Sequence, residues 1–207
     1  MIAILDIQHA GKRSSPRDVG ATFDLDGDGV RGGLGEREID VSASYVARAR
    51  DVLPASGHVA YVLTTGDYGE RHAAAIAIAK ANPGVRCAYV ACHANAGGGS
   101  YGLVEYDERS GLGAALAHAL ADALSALPGV GRGRTRGLGA ADRGWACIDG
   151  IYAGPENLCG VIFEPFFVDF AGHRPLMSPS GLARVGAVLA DGCLSWSRGR
   201  IEPSRNA

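Results

Sequence analysis

The chain has 207 residues, of which 47% are hydrophobic and 20% are charged, and its formal net charge is -2. This length suits one domain with its own hydrophobic core and is short for two. The nearly balanced charge excludes a polyelectrolyte surface, so we expect no nucleic-acid partner. No apolar stretch reaches the length of a membrane span.

Cysteine usage and the N-terminal residues indicate a reducing compartment. The cysteines are odd in number, widely spaced and without a C-x-x-C pair, so we expect reduced, mostly buried thiols rather than disulfides or a thiolate zinc site. They are Cys87, Cys92, Cys147, Cys159 and Cys193. The N-terminal stretch MIAILDIQHAGKR has Asp6 inside a short apolar run and does not resemble a signal peptide. We therefore expect synthesis and folding in the cytoplasm.

Hydrophobic periodicity and chain breakers predict alternating strands and helices. The predicted strands are residues 2–7, 58–65, 85–93, 102–107 and 158–166, with 102–107 at an edge. The predicted helices are residues 37–53, 69–82, 111–127 and 180–196, and residues 198–207 form a flexible tail. This alternation predicts a single-domain α/β fold, with a mainly parallel twisted sheet and helices on both faces.

Polar side chains lie at or near the ends of three predicted strands. His9 follows AILDIQ, His93 follows YVAC, and Glu164 lies within VIFEPFF. Sites in such folds lie at the carboxyl ends of the strands, so we expect these side chains to converge. Glu36, just before the first long helix, is a fourth candidate. Two imidazoles and one carboxylate with an open position make a common catalytic zinc site, and a second carboxylate can act as general base.

Five segments occur in an order and spacing typical of one family. They are ILDIQHAGK, EREIDV, GERHAAAIAIAKAN, YVACHANAGGGSYGLVEY and GVIFEPFF. Over residues 2–196 the chain resembles the N-acetylmuramoyl-L-alanine amidases of the Amidase_3 class, which are zinc-dependent cell-wall hydrolases. The resemblance implies that His9, Glu36 and His93 bind zinc and that Glu164 is catalytic. Glu38 is the alternative to Glu36, which the register of EREIDV favours.

The resemblance also implies a function for residues 1–197 as a catalytic zinc amidase domain. The expected reaction is hydrolysis of the amide bond between N-acetylmuramic acid and L-alanine in peptidoglycan. A phage-type endolysin fits, held in the host cytoplasm until lysis and then acting on the cell wall. The alternatives are a bacterial amidase whose targeting segment was trimmed, and a non-catalytic peptidoglycan-binding or regulatory protein on the same fold.

An acidic stretch in the first long loop resembles the start of a calcium-binding loop. In DLDGDG, Asp24, Asp26 and Asp28 occupy positions one, three and five of an EF-hand pattern. Position twelve is Gly35 instead of the bidentate glutamate. A solvated acidic turn is therefore favoured over a weak calcium site.

Several other residues have two interpretations each. The arginines of GRGRTRGLGAADRG either bind carboxylates of the peptide stem or belong to a solvated loop; they are Arg132, Arg134, Arg136 and Arg143. Asn95 either orients a ligand or substrate or bonds to its own loop backbone. Cys92 is expected in the core, because adjacent strand residues face opposite ways. No metal is expected at the remaining histidines, which are His58, His72, His118 and His173.

Overall fold

Six β-strands form one sheet in the computed structural model, which describes residues 1–199. The strands are β1 (Ile2–Ile7), β2 (Val59–Leu63), β3 (Cys87–Cys92), β4 (Gly102–Asp107), β5 (Gly133–Leu138) and β6 (Leu158–Glu164). Their order across the sheet is β2-β1-β3-β6-β4-β5. β1, β3 and β6 are buried along nearly their whole length, as expected for strands covered on both faces, whereas the edge strand β2 is partly exposed.

Strand direction places several chain ends at one edge of the sheet. β1 pairs in parallel with both β2 and β3, and β3 pairs in parallel with β6. β4 runs antiparallel to β6, and β5 runs parallel to β4. The carboxyl ends of β1, β3 and β6 therefore meet at the edge where β4 and β5 begin.

Helices cover both faces of this sheet, which confirms the predicted α/β fold. The helices are α1 (Glu38–Ala55), α2 (Tyr68–Ala81), α3 (Gly111–Leu124), α4 (Asp149–Tyr152) and α5 (Pro179–Arg198), with 3₁₀ turns at Trp145–Cys147 and Ala171–Met177. One buried cluster joins the sheet to α1, α3 and α5, and a second joins its other face to α2 and α4. Among residues 1–199, none of the helices combines the length and apolar character needed to span a bilayer.

The far side of the sheet differs from the prediction. β4 is not an edge strand, because β5 pairs with it and forms the edge. The sequence GRTRGL of β5 was not among the predicted strands, and it alternates arginine with small residues without an apolar face. In the structure Arg134 and Arg136 are exposed. α5 ends at Arg198, and residues 200–207 of the predicted tail lie outside the described residues.

Candidate metal centre

Two histidines and a glutamate come together at the carboxyl ends of β1 and β3. His9 and His93 follow these strands, and Glu38 is the first residue of α1. Oε1 of Glu38 lies 3.3 Å from Nε2 of His9 and 2.8 Å from Nδ1 of His93. One donor atom from each residue lies within 4.8 Å of the other two. The side chains of His9, Glu38 and His93 are 16%, 6% and 12% exposed, so the group is largely shielded from solvent.

A buried arginine holds the turn that carries His9. His9 has a φ of 66°, and no other non-glycine residue among residues 1–199 has a positive φ. Such a conformation costs about 1–3 kcal/mol and needs support from its surroundings. Arg71 of α2 donates to the carbonyl oxygens of Ile7 and Ala10, on either side of His9. Its guanidinium also pairs with the buried carboxylate of Asp6 in β1. These contacts fix the His9 turn against the sheet.

The N-terminus of α1 positions Glu38. The backbone N–H of Glu38 donates to the Ala21 carbonyl over 2.8 Å, and its Oε2 accepts the Ala21 N–H over 2.8 Å. Gly20 has a φ of 71°, and a Cβ there would overlap the Glu38 side chain. Two turns along the same helix, the Tyr45 hydroxyl donates to the His93 carbonyl over 2.8 Å. One helix thus holds both the carboxylate and the backbone of His93.

Glu36, the predicted carboxylate ligand, does not reach the histidines, and Glu38 lies there instead. The Oε1 of Glu36 accepts the N–H of Leu25 over 2.5 Å and that of Asp26 over 3.3 Å. Its Oε2 accepts the N–H of Gly33 over 3.1 Å. The Glu36 carboxylate therefore accepts hydrogen bonds from the backbone of the loop before α1, and the structure groups Glu38, the alternative weighed in the sequence, with the two histidines.

The donor set at the histidines fits zinc. Zinc binds imidazole nitrogen and carboxylate oxygen at about 2.0–2.2 Å, and three protein donors leave a fourth position open in catalytic sites. His9 presents Nε2 and His93 presents Nδ1 to the same carboxylate oxygen. One donor atom from each of the three residues lies within 4.8 Å of the other two, so the group is compact enough for one divalent ion.

The other ring nitrogen of each histidine also has a neighbour. His9 Nδ1 lies 2.8 Å from Asp18 Oδ1, and Lys12 Nζ donates to the same carboxylate over 2.9 Å. Although burial raises the pKa of Asp18, hydrogen bonds from Lys12 and His9 lower it to about 2. His93 Nε2 lies 4.0 Å from the Cys147 thiol. A carboxylate on the outer nitrogen fixes the tautomer and direction of a ligating histidine.

Burial and mutual contact shift the pKa values of two candidate ligands in opposite directions. Burial disfavours both charged forms, but hydrogen bonds from His9 and His93 outweigh it and hold the pKa of Glu38 well below its usual range. Burial lowers the pKa of His93, but contacts with Cys147 and Glu38 raise it to about 10. Without a metal, the Glu38 carboxylate is therefore ionised at neutral pH and His93 is protonated, so metal binding would displace a proton from His93.

Glu164 ends β6, next to the strand that precedes His93. Its Oε2 accepts a hydrogen bond from Asn95 Nδ2, while Asn95 Oδ1 accepts the Ala96 N–H over 2.8 Å. Asn95 thus bonds both to its own loop and to the predicted catalytic carboxylate. Burial, and next the negative charge of Glu105, raise the pKa of Glu164 to about 7. A carboxyl group with such a pKa can take up and release a proton near neutral pH.

The acidic stretch behaves as a turn. Carboxylate oxygens of Asp24, Asp26 and Asp28 lie within 4.8 Å of one another but are partly or fully exposed. Asp24 accepts the N–H of Gly27 and Gly29 over 2.7 and 3.0 Å. The calcium alternative gains no support, because the carboxylates already accept hydrogen bonds from their own loop.

The remaining histidines and the thiols have structural contacts. His72 Nε2 contacts the Cys147 carbonyl at 3.0 Å, and His173 Nδ1 accepts the Phe167 N–H over 2.9 Å. Cys92 packs in the core on the face opposite to His93, as strand alternation predicts.

A groove of about 970 Å³ is lined by Leu158, at the start of β6, and so lies away from Glu164 at its end.

Sequence reasoning missed four contributors to the site. They are Asp18, Arg71, Glu105 and Cys147, which lie on four different segments. One signal was present, because Asp6 is a charged residue within an apolar strand and a buried carboxylate needs a partner. The partner, Arg71, lies far along the chain and could not be assigned from spacing.

Solved structures with the same architecture include three that cover nearly all of this chain. Cwp6 from Clostridium difficile superposes with a TM-score of 0.69 at 18% identity, over 94% of this chain and 29% of that one. An N-acetylmuramoyl-L-alanine amidase from Clostridium difficile 630 gives 0.67 at 15% identity, over 96% and 98% of the two chains. The catalytic domain of the CD27L endolysin targeting Clostridia difficile gives 0.60 at 16% identity, over 94% and 97%.

The chain has the amidase fold. The resemblance predicted from the five sequence segments is confirmed at this level, since the whole sheet and its helices match. The chain spans 29% of the length of Cwp6 but nearly all of the other two structures. No protein-family model and no curated sequence matches the chain. The amidase fold therefore establishes the architecture of the chain, and its function depends on the residues of the site.

Proposed function

We propose that this chain is a zinc-dependent N-acetylmuramoyl-L-alanine amidase, which cleaves the amide bond between N-acetylmuramic acid and L-alanine in peptidoglycan. The observation that carries the proposal is the grouping of His9, Glu38 and His93 donors within 4.8 Å. Glu164 ends the neighbouring strand of an amidase fold. We assign the three grouped residues as metal ligands and Glu164 as the catalytic carboxylate.

The chain's own residues account for the proton transfers of an amide hydrolysis. When bound, zinc supplies Lewis-acid chemistry that polarises a carbonyl group and makes water more acidic. Glu164 accepts the proton of the attacking water at its carboxylate. The resulting carboxylic acid donates this proton to the nitrogen of the departing L-alanine, since an amine anion is a poor leaving group. Asn95 Nδ2 keeps the carboxylate directed during both transfers.

The test is the release of stem peptides from purified peptidoglycan, followed by mass spectrometry and by the appearance of new amino termini. Glu164→Gln should retain zinc and lose about 100-fold or more of the rate, because it cannot exchange the proton. His93→Ala should lose the metal, and a chelator should stop the wild type until zinc is restored. Wild-type rates in Glu164→Gln, or full activity without metal, would contradict the proposal.

Glu36 and Glu38 provide a matched pair for the ligand assignment. Glu38→Gln should weaken zinc binding by about tenfold or more, measured by competition with a chromophoric chelator. Glu36→Gln should bind zinc like the wild type, because its carboxylate contacts only loop backbone. The opposite pattern would return the ligand role to Glu36.

The biological setting that we propose is a phage-type endolysin. The catalytic domain of a solved endolysin shares this fold over 97% of its length. Expression in the cytoplasm together with a pore-forming lysis protein should release the enzyme to the wall and clear the culture, and Glu164→Gln should not. Binding to the wall without turnover would favour the non-catalytic alternative, which no contact in the site supports.

A further inference from the structure

A row of aligned residues connects Glu164 to the far edge of the sheet. Glu164 of β6 is paired with Leu103 of β4, and Leu103 is paired with Arg134 of β5. Neighbouring strands lie about 4.8 Å apart, so the backbone of Arg134 is about 10 Å from that of Glu164. An arginine side chain spans much of this distance.

The side chains of this row lie on one face of the sheet. Directly paired residues of neighbouring strands project to the same side, and so do residues two apart on one strand. Arg136 forms an ion pair with Glu105 of β4, so the arginine side chains of β5 project from the same face of the sheet as Glu105. Arg134 therefore lies on the same face as Glu164, and it is exposed.

Arg134 is held in place, yet no carboxylate among residues 1–199 pairs with it. Its guanidinium lies 4.0 Å from the ring centre of Tyr101, and Tyr101 packs edge-on against Phe167 at 5.0 Å. Over the described chain, residues 1–199, Arg136 is bonded to Glu105 whereas Arg134 forms no ion pair. An aromatic platform restricts the guanidinium and leaves its hydrogen-bonding edge free.

We infer that Arg134 binds a carboxylate of the stem peptide, an inference that rests on the proposed amidase function. An extended peptide advances about 3.3 Å per residue, so the residue after the cleaved L-alanine comes within reach of a long arginine side chain. Guanidinium groups bind carboxylates in a bidentate manner. The stem carries free carboxylates, whereas the lactyl carboxyl of the muramic acid is tied up in the amide bond of the uncleaved substrate. The peptide therefore runs from Glu164 across β4 toward β5, and the ligand is an acidic residue next to the cleaved alanine.

The test compares two synthetic substrates, N-acetylmuramoyl-L-alanyl-D-glutamic acid with its γ-carboxyl group blocked as the methyl ester, and the same compound with the glutamate α-carboxylate converted to the amide. Arg134→Gln should lower kcat/KM for the free acid by about tenfold or more, mainly through KM, since it removes a charge-assisted hydrogen bond. It should change kcat/KM for the amide by less than about twofold. Arg134→Lys should recover part of the lost kcat/KM for the free acid. This recovered part should decrease as added salt screens the lysine charge.

Arg50→Gln is the matched control for loss of one positive charge. Arg50 is exposed and pairs with Asp51. It lies twelve residues along α1 from Glu38, which is about 18 Å of helix. It should leave both substrates unaffected. Zinc content and the thermal midpoint of Arg134→Gln should equal those of the wild type, because the residue is on the surface.

The outcomes separate this inference from the proposed function. If the wild type cleaves both substrates but Arg134→Gln affects them equally, or neither, Arg134 does not bind the carboxylate and the inference fails, while the amidase function stands. If the wild type releases no L-alanyl peptide from either substrate or from peptidoglycan, the proposed function fails and the inference fails with it.

Discussion

Glu164 is buried, although the catalytic role that we propose for it requires its carboxyl group to ionise. Burial and the charge of Glu105 raise its pKa to about 7, from an ordinary value of 4.5. Asn95 provides one hydrogen bond to the carboxylate, which favours the ionised form without restoring the lost hydration. The residue is thus adjusted for proton exchange at the expense of stability in its ionised form.

This adjustment predicts a pH dependence of stability in the metal-free protein. The folded-state pKa of Glu164 is raised, so its contribution to stability is fully present below about 4.5 and is lost as the pH rises through about 7. The loss amounts to roughly 3 kcal/mol. Urea unfolding of metal-free wild type and Glu164→Gln should give a free-energy difference that changes by this amount between pH 4.5 and 8. A difference that is independent of pH would show that Glu164 titrates normally.

Among single residues, the histidines and Glu164 were predictable, whereas the choice between Glu36 and Glu38 was not. A histidine directly after a buried parallel strand lies at the carboxyl edge of the sheet, because the strand ends there. Glu36 and Glu38 are separated by one residue and both precede or begin the same helix. Their different contacts depend on how residues 18–35 fold back, which the local pattern does not contain.

Among the elements, α1 has the most direct influence on the site, because it carries Glu38 and supports His93 through Tyr45. It packs against α5, and the two helices approach closely at Gly186. A Cβ at Gly186 would overlap the Tyr45 carbonyl oxygen and lie 2.7 Å from Arg48 Cβ. Because backbone cannot move aside as a side chain can, any larger residue must separate the helices.

Gly186→Ala is therefore expected to destabilise the protein by about 1–3 kcal/mol in urea unfolding. It should also weaken zinc binding, since a shift of α1 moves Glu38. The matched control is Gly69→Ala in α2, where a Cβ meets no atom within 4 Å and higher helix propensity should stabilise by about 0.5 kcal/mol. Equal stability of Gly186→Ala and wild type would mean that the two helices do not pack as closely as described.

Element boundaries were predictable where the pattern is apolar and failed where it is not. β1, β3 and β6 are continuous hydrophobic runs, and the structure contains strands at those places. β5 has arginines on one side and small residues on the other, so its sequence lacks the apolar face of a typical strand. Its pairing with β4 and its contact with α3 make this segment a strand. A Cβ at Gly133 would overlap the Ala121 carbonyl of α3. Close packing of β5 against α3 therefore explains why glycine, a residue typical of loops, occurs at the start of this strand.

For the whole molecule, the candidate metal centre connects elements that are distant in sequence. Residues 9, 38 and 93 come from β1, α1 and β3, and the unfolded chain cannot present them together. A metal that binds only the folded state stabilises it according to its concentration relative to Kd. At about 1,000 times Kd, the expected gain is about 4 kcal/mol.

Zinc should accordingly raise the thermal midpoint by roughly 10 °C for a chain of this size, measured by calorimetry at buffered zinc concentrations. Glu164→Gln should show the same shift, since it retains the donors. His93→Ala should show a much smaller one. An equal shift in His93→Ala would mean that zinc binds elsewhere on the surface.

The sequence by itself determined the order of the apolar strands and the long helices, the α/β class, and the placement of His9, His93 and Glu164 at one edge of the sheet. It could do so because burial of apolar strands is a local pattern, and parallel pairing then brings their ends together. Only the tertiary structure decided that Glu38 faces the histidines, that Arg71 holds the His9 turn, and that Arg134 shares a sheet face with Glu164. Those relations depend on contacts between residues far apart in the chain, and no spacing along the sequence encodes which partner a polar side chain will meet.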